Sequence, residues 1–111
     1  MKKVVPNDEE YVFKNKIIIS QTDLEGNVTF VNRKFCEVSG YENDEILGQP
    51  LSIISHPQMP KIIFHKMWDN IKNGKAWNGL IKNLRRDGKF YWVDIEVLPI
   101  YADDVKNEII G

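Results

Sequence analysis

Two histidines stand close together in the stretch "SHPQMPKIIFHKMW", which runs from Ser55 to Trp68. Histidine is the usual general base and metal ligand near neutral pH. His56 precedes Pro57, which favours an extended backbone, so the loop is stiff enough to hold His56 at the rim of a pocket. His65 falls on the following helix, where it would serve either as an axial haem ligand or as a surface residue. A loop histidine bonded to backbone is the alternative for His56.

Catalytic and structural-metal chemistry find little support in the residue types. The chain has two histidines and one cysteine, Cys36, and this cysteine belongs to a different helix, so no four-ligand zinc site is expected. We find no nucleophile paired with a base, no paired carboxylates and no phosphate loop at a usable spacing. We therefore do not expect an enzyme or a metal centre.

Length and charge further restrict the class of protein to which the chain can belong. The 111 residues fit one small domain, and the 42% hydrophobic content is ordinary for a globular protein. A net charge of −1 does not favour nucleic acid or an anionic membrane surface. No apolar run would span a bilayer and the first residues lack a signal peptide, so we expect a cytoplasmic domain without direct membrane contact.

The local patterns predict an α+β domain, with an antiparallel sheet and short helices packed on one face. Strands are expected over residues 17–23, 28–32, 77–85, 90–101 and from 107 onward, where the sequence cuts the last strand short. Helices are expected over 33–40, 42–48 and 60–74, with Pro60 at the first helical position. Residues 1–16 form an arm or cap, and residues 17–111 form the domain itself.

Strand alternation sorts side chains by face. Tyr91, Val93, Ile95 and Val97 form the inner, apolar set of one strand, whereas Trp92, Asp94 and Glu96 point outward. Trp77, Gly79, Ile81 and Asn83 share a face of the preceding strand, and Val28, Phe30 and Asn32 share one of the second strand. Asn32 and Asn83 then lie among apolar neighbours, and a buried amide without a partner costs about 1–3 kcal/mol. Each amide needs an internal partner or a ligand, and Asn32, just before a helix, is equally suited to capping it.

Two longer segments resemble the PAS domain, a family of sensor modules. They are "QTDLEGNVTFVNRKFCEVSGYENDEILGQP" and "WNGLIKNLRRDGKFYWVDIEVLPIY". Within the family, "SHPQMP", "FHKMW" and "KNLRRDGKFYWV" resemble the signature of the aerotaxis-receptor type. This resemblance implies a five-stranded PAS-like sheet and a domain that binds FAD non-covalently and reports redox state or oxygen to a signalling partner.

The resemblance also implies a set of cofactor contacts. An asparagine amide can serve both donors and acceptors on the polar edge of a flavin, and tryptophan rings can flank its plane. The residues expected to contact FAD are Asn32, Phe35, His56, Trp68, Trp77 and Asn83. Core packing is the alternative for both tryptophans.

Two positions depart from the family pattern. Ser55 stands where the family usually has arginine, and Gln58 stands where it usually has aspartate. An arginine there would suit an anionic phosphate, so the phosphate contact must lie elsewhere if FAD is bound.

Two other functions stay open beside the flavin sensor. One is a haem-binding gas sensor that uses His56 or His65, and the other is a ligand-free PAS module that dimerises. Light-driven adduct chemistry is not expected, because Cys36 lacks the N-C-R-F-type motif of flavin photosensors. As partners we expect a second copy and a downstream transducer, with Trp92 on the outer sheet face as a contact that the arm could also cover.

Overall fold

The structure, a computed structural model, describes residues 3–14, 17–102 and 105–110, with side chains as far as residue 100. The elements in chain order are β1 (Ser20–Asp23), β2 (Val28–Val31), α1 (Arg33–Ser39), α2 (Asn43–Ile46), a 3₁₀ turn (Leu51–Ile54), α3 (Lys61–Lys72), β3 (Trp77–Leu84), β4 (Phe90–Ala102) and β5 (Val105–Ile110). The strands pair in the order β2, β1, β5, β4, β3, and every pair is antiparallel. The predicted α+β class with antiparallel pairing is confirmed.

The β3–β4 hairpin carries the alternation that its sequence predicts. Asn83 lies opposite Tyr91 near the turn, and Trp77 lies opposite Val97 at the far end. Tyr91 and Val97 are buried, whereas Trp92 is 44% exposed, so the inner and outer faces of β4 are as expected. The turn closes at Gly88, whose φ of 93° suits glycine.

Strand β2 departs from the predicted alternation. Thr22 lies opposite Val28, but Gln21 lies opposite Phe30, so β2 holds one extra residue at this point. Such a bulge changes which side chains face the core. Phe30 is consequently 45% exposed while Val31 is buried, and the prediction that Val28 and Phe30 share a buried face is wrong.

A closed cluster, here called the α1 core, joins β2, α1 and the segments that follow. Its buried members are Val28, Val31, Phe35, Tyr41, Ile46 and Ile54. Helix α1 ends at Gly40, whose φ of 81° allows its N–H to bond the Cys36 carbonyl. This half of the domain thus packs like an ordinary protein interior.

The contact between α3 and the inner face of β3 and β4, here called the α3 interface, is less complete. Ile71 and Val97 are buried at one end. Ile81 and Tyr91 are buried further along the hairpin. Seven other apolar side chains of α3, β3 and β4 are only half-buried: Ile63, Phe64, Met67, Trp68, Trp77, Val93 and Ile95. Pro60 is the N-cap, with a ψ of 134°, and not the first helical residue as predicted, since its ψ is extended.

The arm runs along the start of β4, on the side away from β3. The Tyr11 N–H donates to the Phe90 carbonyl at 2.8 Å, and the Phe90 N–H donates to the Glu9 carbonyl at 2.8 Å. The Phe13 ring meets the Tyr91 ring edge-on, with 6.2 Å between centroids. These contacts place the arm beside inward-facing Tyr91, whereas the sequence suggested that it could cover Trp92.

Candidate functional site

Asn83 lies on the inner face of β3, as its position in the alternation predicts. Its side chain is 9% exposed. It lies directly opposite Tyr91 on β4. Burial raises the pKa of Tyr91 well above its usual range, and the neighbouring Asn83 side chain opposes this rise. One polar pair therefore stands at the end of an otherwise apolar face.

The loop before α3 docks against the free edge of β3. Ser55 forms an isolated antiparallel bridge with Asn83, and the His56 N–H donates to the Lys82 carbonyl at 3.4 Å. Residues that face each other across antiparallel strands point to the same side. Ser55 is therefore on the side of Asn83, and His56 is on the side of Lys82.

The His56 ring is enclosed on that second side. It is 3% exposed and meets Phe90 edge-on at 6.4 Å. Its Nδ1 accepts from the Gln58 N–H at 3.1 Å, which leaves the proton on Nε2, and Nε2 is buried without a partner among the described residues. Burial, then the charge of Lys82, lowers the pKa of His56, and Asp8 opposes this shift. His56 is thus a neutral donor at neutral pH.

Gln58 keeps a polar contact where the family has an acid. Its Oε1 accepts from Lys82 Nζ at 2.7 Å, and the same ammonium lies 4.4 Å from the centre of the Phe90 ring. A carboxylate at this position would neutralise Lys82, whereas an amide does not. The positive charge beside His56 therefore persists.

The two tryptophans meet at the closed end of the α3 interface. Trp68 and Trp77 both pack against the cluster of Ile71 and Val97. The Trp77 indole lies flat over Gly79, where an added Cβ would overlap its six-membered ring. Both rings remain half-buried.

Asn32 and Phe35 are placed away from this group. The Asn32 Oδ1 accepts from the N–H groups of Phe35 at 2.9 Å and Ile19 at 3.0 Å, and its Nδ2 donates to the Ile17 carbonyl at 2.8 Å. The amide thus caps α1 and ties it to the segment before β1. Phe35 is 3% exposed within the α1 core. The structure therefore groups Asn83, Trp68 and Trp77 around the α3 interface. His56 lies at the edge of β3, on the side of Lys82.

Comparison with known proteins identifies the family of the chain. A PAS domain profile matches residues 14–111. The chain belongs to the PAS domain family. It is 42% identical over 86 residues to the aerotaxis receptor of Escherichia coli K12, and this alignment covers 78% of the chain. The expected aerotaxis-receptor type is confirmed.

Other relatives of this PAS domain are also regulatory by name. The nitrogen fixation regulatory protein of Klebsiella pneumoniae is 34% identical over 84 residues, or 76% of the chain. Both relatives are much longer, and the aligned part is 17% of each. A solved PAS domain from Colwellia psychrerythraea superposes with a TM-score of 0.74 at 27% identity, covering 84% of this chain and 81% of that one.

Several absences hold for the described part of this PAS domain. No group of three or more histidine, cysteine or acidic side chains is placed to hold a metal ion there. None of its helices combines the length and the apolar character that a transmembrane span requires. Cys36 is half-buried on α1, and burial raises the pKa of its thiol.

Two residues of the site were not among the predicted contacts. Tyr91 was assigned only to the inner face, and Ser55 only to a departure from the family pattern. The signal for Tyr91 was its register opposite Asn83, which the Asp87-Gly88 turn determines. The pairing of Ser55 with Asn83 joins segments 28 residues apart and has no local sequence signal.

Proposed function

We propose that this PAS domain binds FAD non-covalently at the α3 interface and reports its redox state to a signalling partner. The single observation that carries the proposal is the incomplete packing of α3 on the sheet. Seven apolar side chains, from Ile63 to Ile95, stay half-buried on α3 and the facing strands, whereas four partly buried hydrophobic residues surround the α1 core. Partly exposed apolar surfaces that face one another are typical of a ligand site.

The residue types fit a flavin. Its ring has an apolar dimethylbenzene end and a polar pyrimidine edge, and the interface has the same polarity. Met67, Trp68 and Trp77 supply apolar and aromatic surface at one end, and Asn83 supplies an amide toward the other. The resemblance to the aerotaxis-receptor type supports FAD over other planar ligands.

The chain's own residues suggest how redox state is read. A bound flavin would accept or donate two electrons. Its reduction would change the protonation of the ring edge. Asn83 can offer either a donor or an acceptor there, so its hydrogen bonds change with redox state. Since Asn83 lies directly opposite Tyr91, such a change reaches β4 as well. A binding-dependent population shift of this kind is what a sensor passes to its partner.

The cofactor identity is tested on purified protein. We expect absorbance bands of a flavin, and FAD by chromatography in the supernatant after heat release. Protein that yields no flavin even after reconstitution with FAD would contradict the proposal. A Soret band would favour the haem sensor, for which His65 lies exposed on α3.

The position of the cofactor is tested with two asparagines of one strand. Asn83→Ala removes the inward amide, and we expect loss of most of the bound flavin with retention of the fold. Asn78→Ala changes an exposed residue of the outer face of β3 and is the matched control. Equal flavin content in the two variants would remove Asn83 from the site.

A further inference from the structure

Arg85 lies where the β3–β4 turn meets the C-terminal end of α1. Its Nη1 donates to the carbonyls of Glu37 at 3.0 Å and Val38 at 2.6 Å, both in the last turn of the helix. Its Nε lies 3.2 Å from a carboxylate oxygen of Asp87 in the turn. The Arg85 side chain is 13% exposed, so protein groups rather than water hold most of its charge.

The arm covers the same guanidinium. The Arg85 Cζ lies 3.8 Å from the centre of the Tyr11 ring, which is the geometry of a cation–π contact. Tyr11 also stacks on Phe13, with 6.4 Å between ring centres. Because such a contact is stronger where water is excluded, the mostly buried guanidinium is a favourable partner for the ring. Arg85 therefore binds the arm with a charge that α1 and the turn also hold.

The backbone of the arm is strained between its contacts with the hairpin. Asp8 has a φ of 62°, which is uncommon for a residue other than glycine. Before it, the Asn7 N–H donates to the Gly88 carbonyl at 3.0 Å, and after it come the contacts of Tyr11. A strained conformation persists only when surrounding contacts impose it. The arm should therefore detach more readily once one of these contacts is lost.

We propose that Arg85 couples docking of the arm to the packing of α1 on the β3–β4 turn, so that displacement of α1 releases the arm. The α1 carbonyls orient the guanidinium, and the oriented guanidinium binds Tyr11. The arm then opens in response to a change in the α1 core, which gives the domain a route to a signalling partner. The coupling requires no cofactor, so it can fail while the proposed function holds, and the reverse is equally possible.

Amide hydrogen exchange measures docking of the arm. The N–H groups of Asn7, Tyr11 and Phe90, here called the arm amides, each donate across the boundary between arm and hairpin. The Arg86 N–H donates to the Ser39 carbonyl at 3.0 Å and reports the contact between the turn and α1. NMR of the ¹⁵N-labelled full chain follows both in one sample.

The first variant removes the aromatic contact. Tyr11→Leu keeps an apolar side chain, and we expect the arm amides to exchange about tenfold faster, as loss of a shielded cation–π contact predicts. Exchange of the Arg86 amide should not change. Val12→Ala, at a position of the same arm that is 70% exposed, is the matched control. Unchanged exchange of the arm amides in Tyr11→Leu would overturn the proposal.

The coupling to α1 is tested with two glycines that share a φ of 81°. A Cβ at Gly40 would lie 3.4 Å from the Arg85 guanidinium and 3.5 Å from the Arg86 Cβ, whereas one at Gly48 would meet nothing within 4 Å. Gly40→Ala should displace α1 from the turn and speed exchange of the arm amides several-fold. Gly48→Ala introduces similar backbone strain and should leave them unchanged. Equal effects of the two variants would indicate general destabilisation and contradict the coupling.

A double variant identifies the route of the coupling. If Gly40→Ala acts through Arg85 and Tyr11, its combination with Tyr11→Leu should exchange no faster at the arm amides than Tyr11→Leu alone. Additive accelerations would place the coupling outside this contact and overturn the proposal. Arg85→Lys keeps the charge but lacks the planar fork that reaches the α1 carbonyls. It should also speed exchange of the arm amides several-fold, and it decides the question if Gly40→Ala does not fold.

Discussion

The two halves of the interior differ in how completely they close. In the α1 core, six side chains from β2, α1 and the following segments are buried at 6% exposure or less. At the α3 interface, Ile71, Ile81, Tyr91 and Val97 reach that state, while seven apolar side chains stay half-buried. Both groups consist of hydrophobic side chains, so these residues alone do not explain the difference.

Polar residues explain the difference better. Asn32 lies at the boundary of the α1 core. Its side-chain amide forms hydrogen bonds with backbone groups and so holds α1 in place. At the α3 interface, Asn83 and Tyr91 lie opposite each other on the inner face of the hairpin, among apolar side chains. We infer that the first half stabilises the fold and that the second leaves surface and hydrogen-bonding capacity for a ligand.

The largest expected effect tests the closed half. Phe35→Ala should lower the free energy of unfolding by about 3–5 kcal/mol, because it removes a fully enclosed ring. That is a large part of the roughly 5–15 kcal/mol that holds a small domain together. Met67→Ala, at the half-buried interface, should cost the apoprotein clearly less. Urea unfolding of both apoproteins provides the measurement.

The same pair tests a site prediction made from the sequence. Phe35 was expected to contact FAD, and the structure places it in the α1 core. If Phe35→Ala keeps its stability but loses flavin, Phe35 lines the cofactor site and the division into two halves is wrong.

The second prediction restores a residue type that the family usually has. Ser55 pairs with Asn83 and faces the same side of β3. Ser55→Arg should therefore bring a guanidinium to the edge of the cofactor site, where a charged hydrogen bond to a phosphate would tighten FAD binding by about tenfold. Riboflavin, which has no phosphate, should gain nothing. Both affinities follow from quenching of flavin fluorescence.

Position is controlled by repeating the change nearby. Ser52→Arg adds the same charge to an exposed residue of the 3₁₀ turn and should leave the FAD affinity unchanged. Equal tightening by both variants would indicate a general charge effect. An unchanged affinity in Ser55→Arg would place the phosphates away from this edge of β3.

The third prediction concerns pH. Burial and the charge of Lys82 lower the pKa of His56 in the folded chain. As the pH falls, His56 is therefore protonated at a higher pH in the unfolded chain than in the folded chain. Stability contributed by neutral His56 is thus complete above the ordinary histidine pKa of about 6.5 and is lost as pH falls toward the lowered value. The slope for one proton is at most about 1.4 kcal/mol per pH unit.

Two histidine variants isolate that slope. Urea unfolding at pH 7.5, 6.5 and 5.5 should show a clearly weaker loss of stability in His56→Gln than in the wild type. His65→Gln changes the exposed histidine of α3 and is the control. If His56→Gln keeps the full pH dependence, other groups cause it.

Local sequence rules predicted most of the fold and part of the site. Turn residues and alternation placed β3 and β4 with their faces, because the Asp87-Gly88 turn fixes the register between them. Alternation failed in β2, where an extra residue opposite Gln21 and Thr22 reverses the face of Phe30. No local pattern announces such a bulge.

The site residues illustrate the same limit. Asn83 could be placed on the inner face from its strand alone. The side of His56 depends on which loop residue meets Asn83, and that is decided by a contact between distant segments. Asn32 suited capping and ligand binding equally by sequence, and its cap hydrogen bond appears only in three dimensions.

The smallest expected effect lies on the outer face of the hairpin. Trp92 is 44% exposed and lies opposite Lys82, with Leu80 at 60% exposure on the same face. Phe13 of the arm contacts Tyr91 on the inner face, and we expect a second copy or a transducer to occupy the outer face. Trp92→Ala should weaken self-association by about 1 kcal/mol, because exposed tryptophans are enriched among residues that stabilise interfaces. Flavin content should stay the same, because both halves of the interior lie on the other side of the sheet.

Sedimentation mass measures self-association, and visible absorbance measures flavin content. Ile62→Ala changes an exposed apolar residue of α3 and is the control. Loss of flavin with unchanged association would contradict the outward orientation of Trp92 and, with it, the register of β4 against β3.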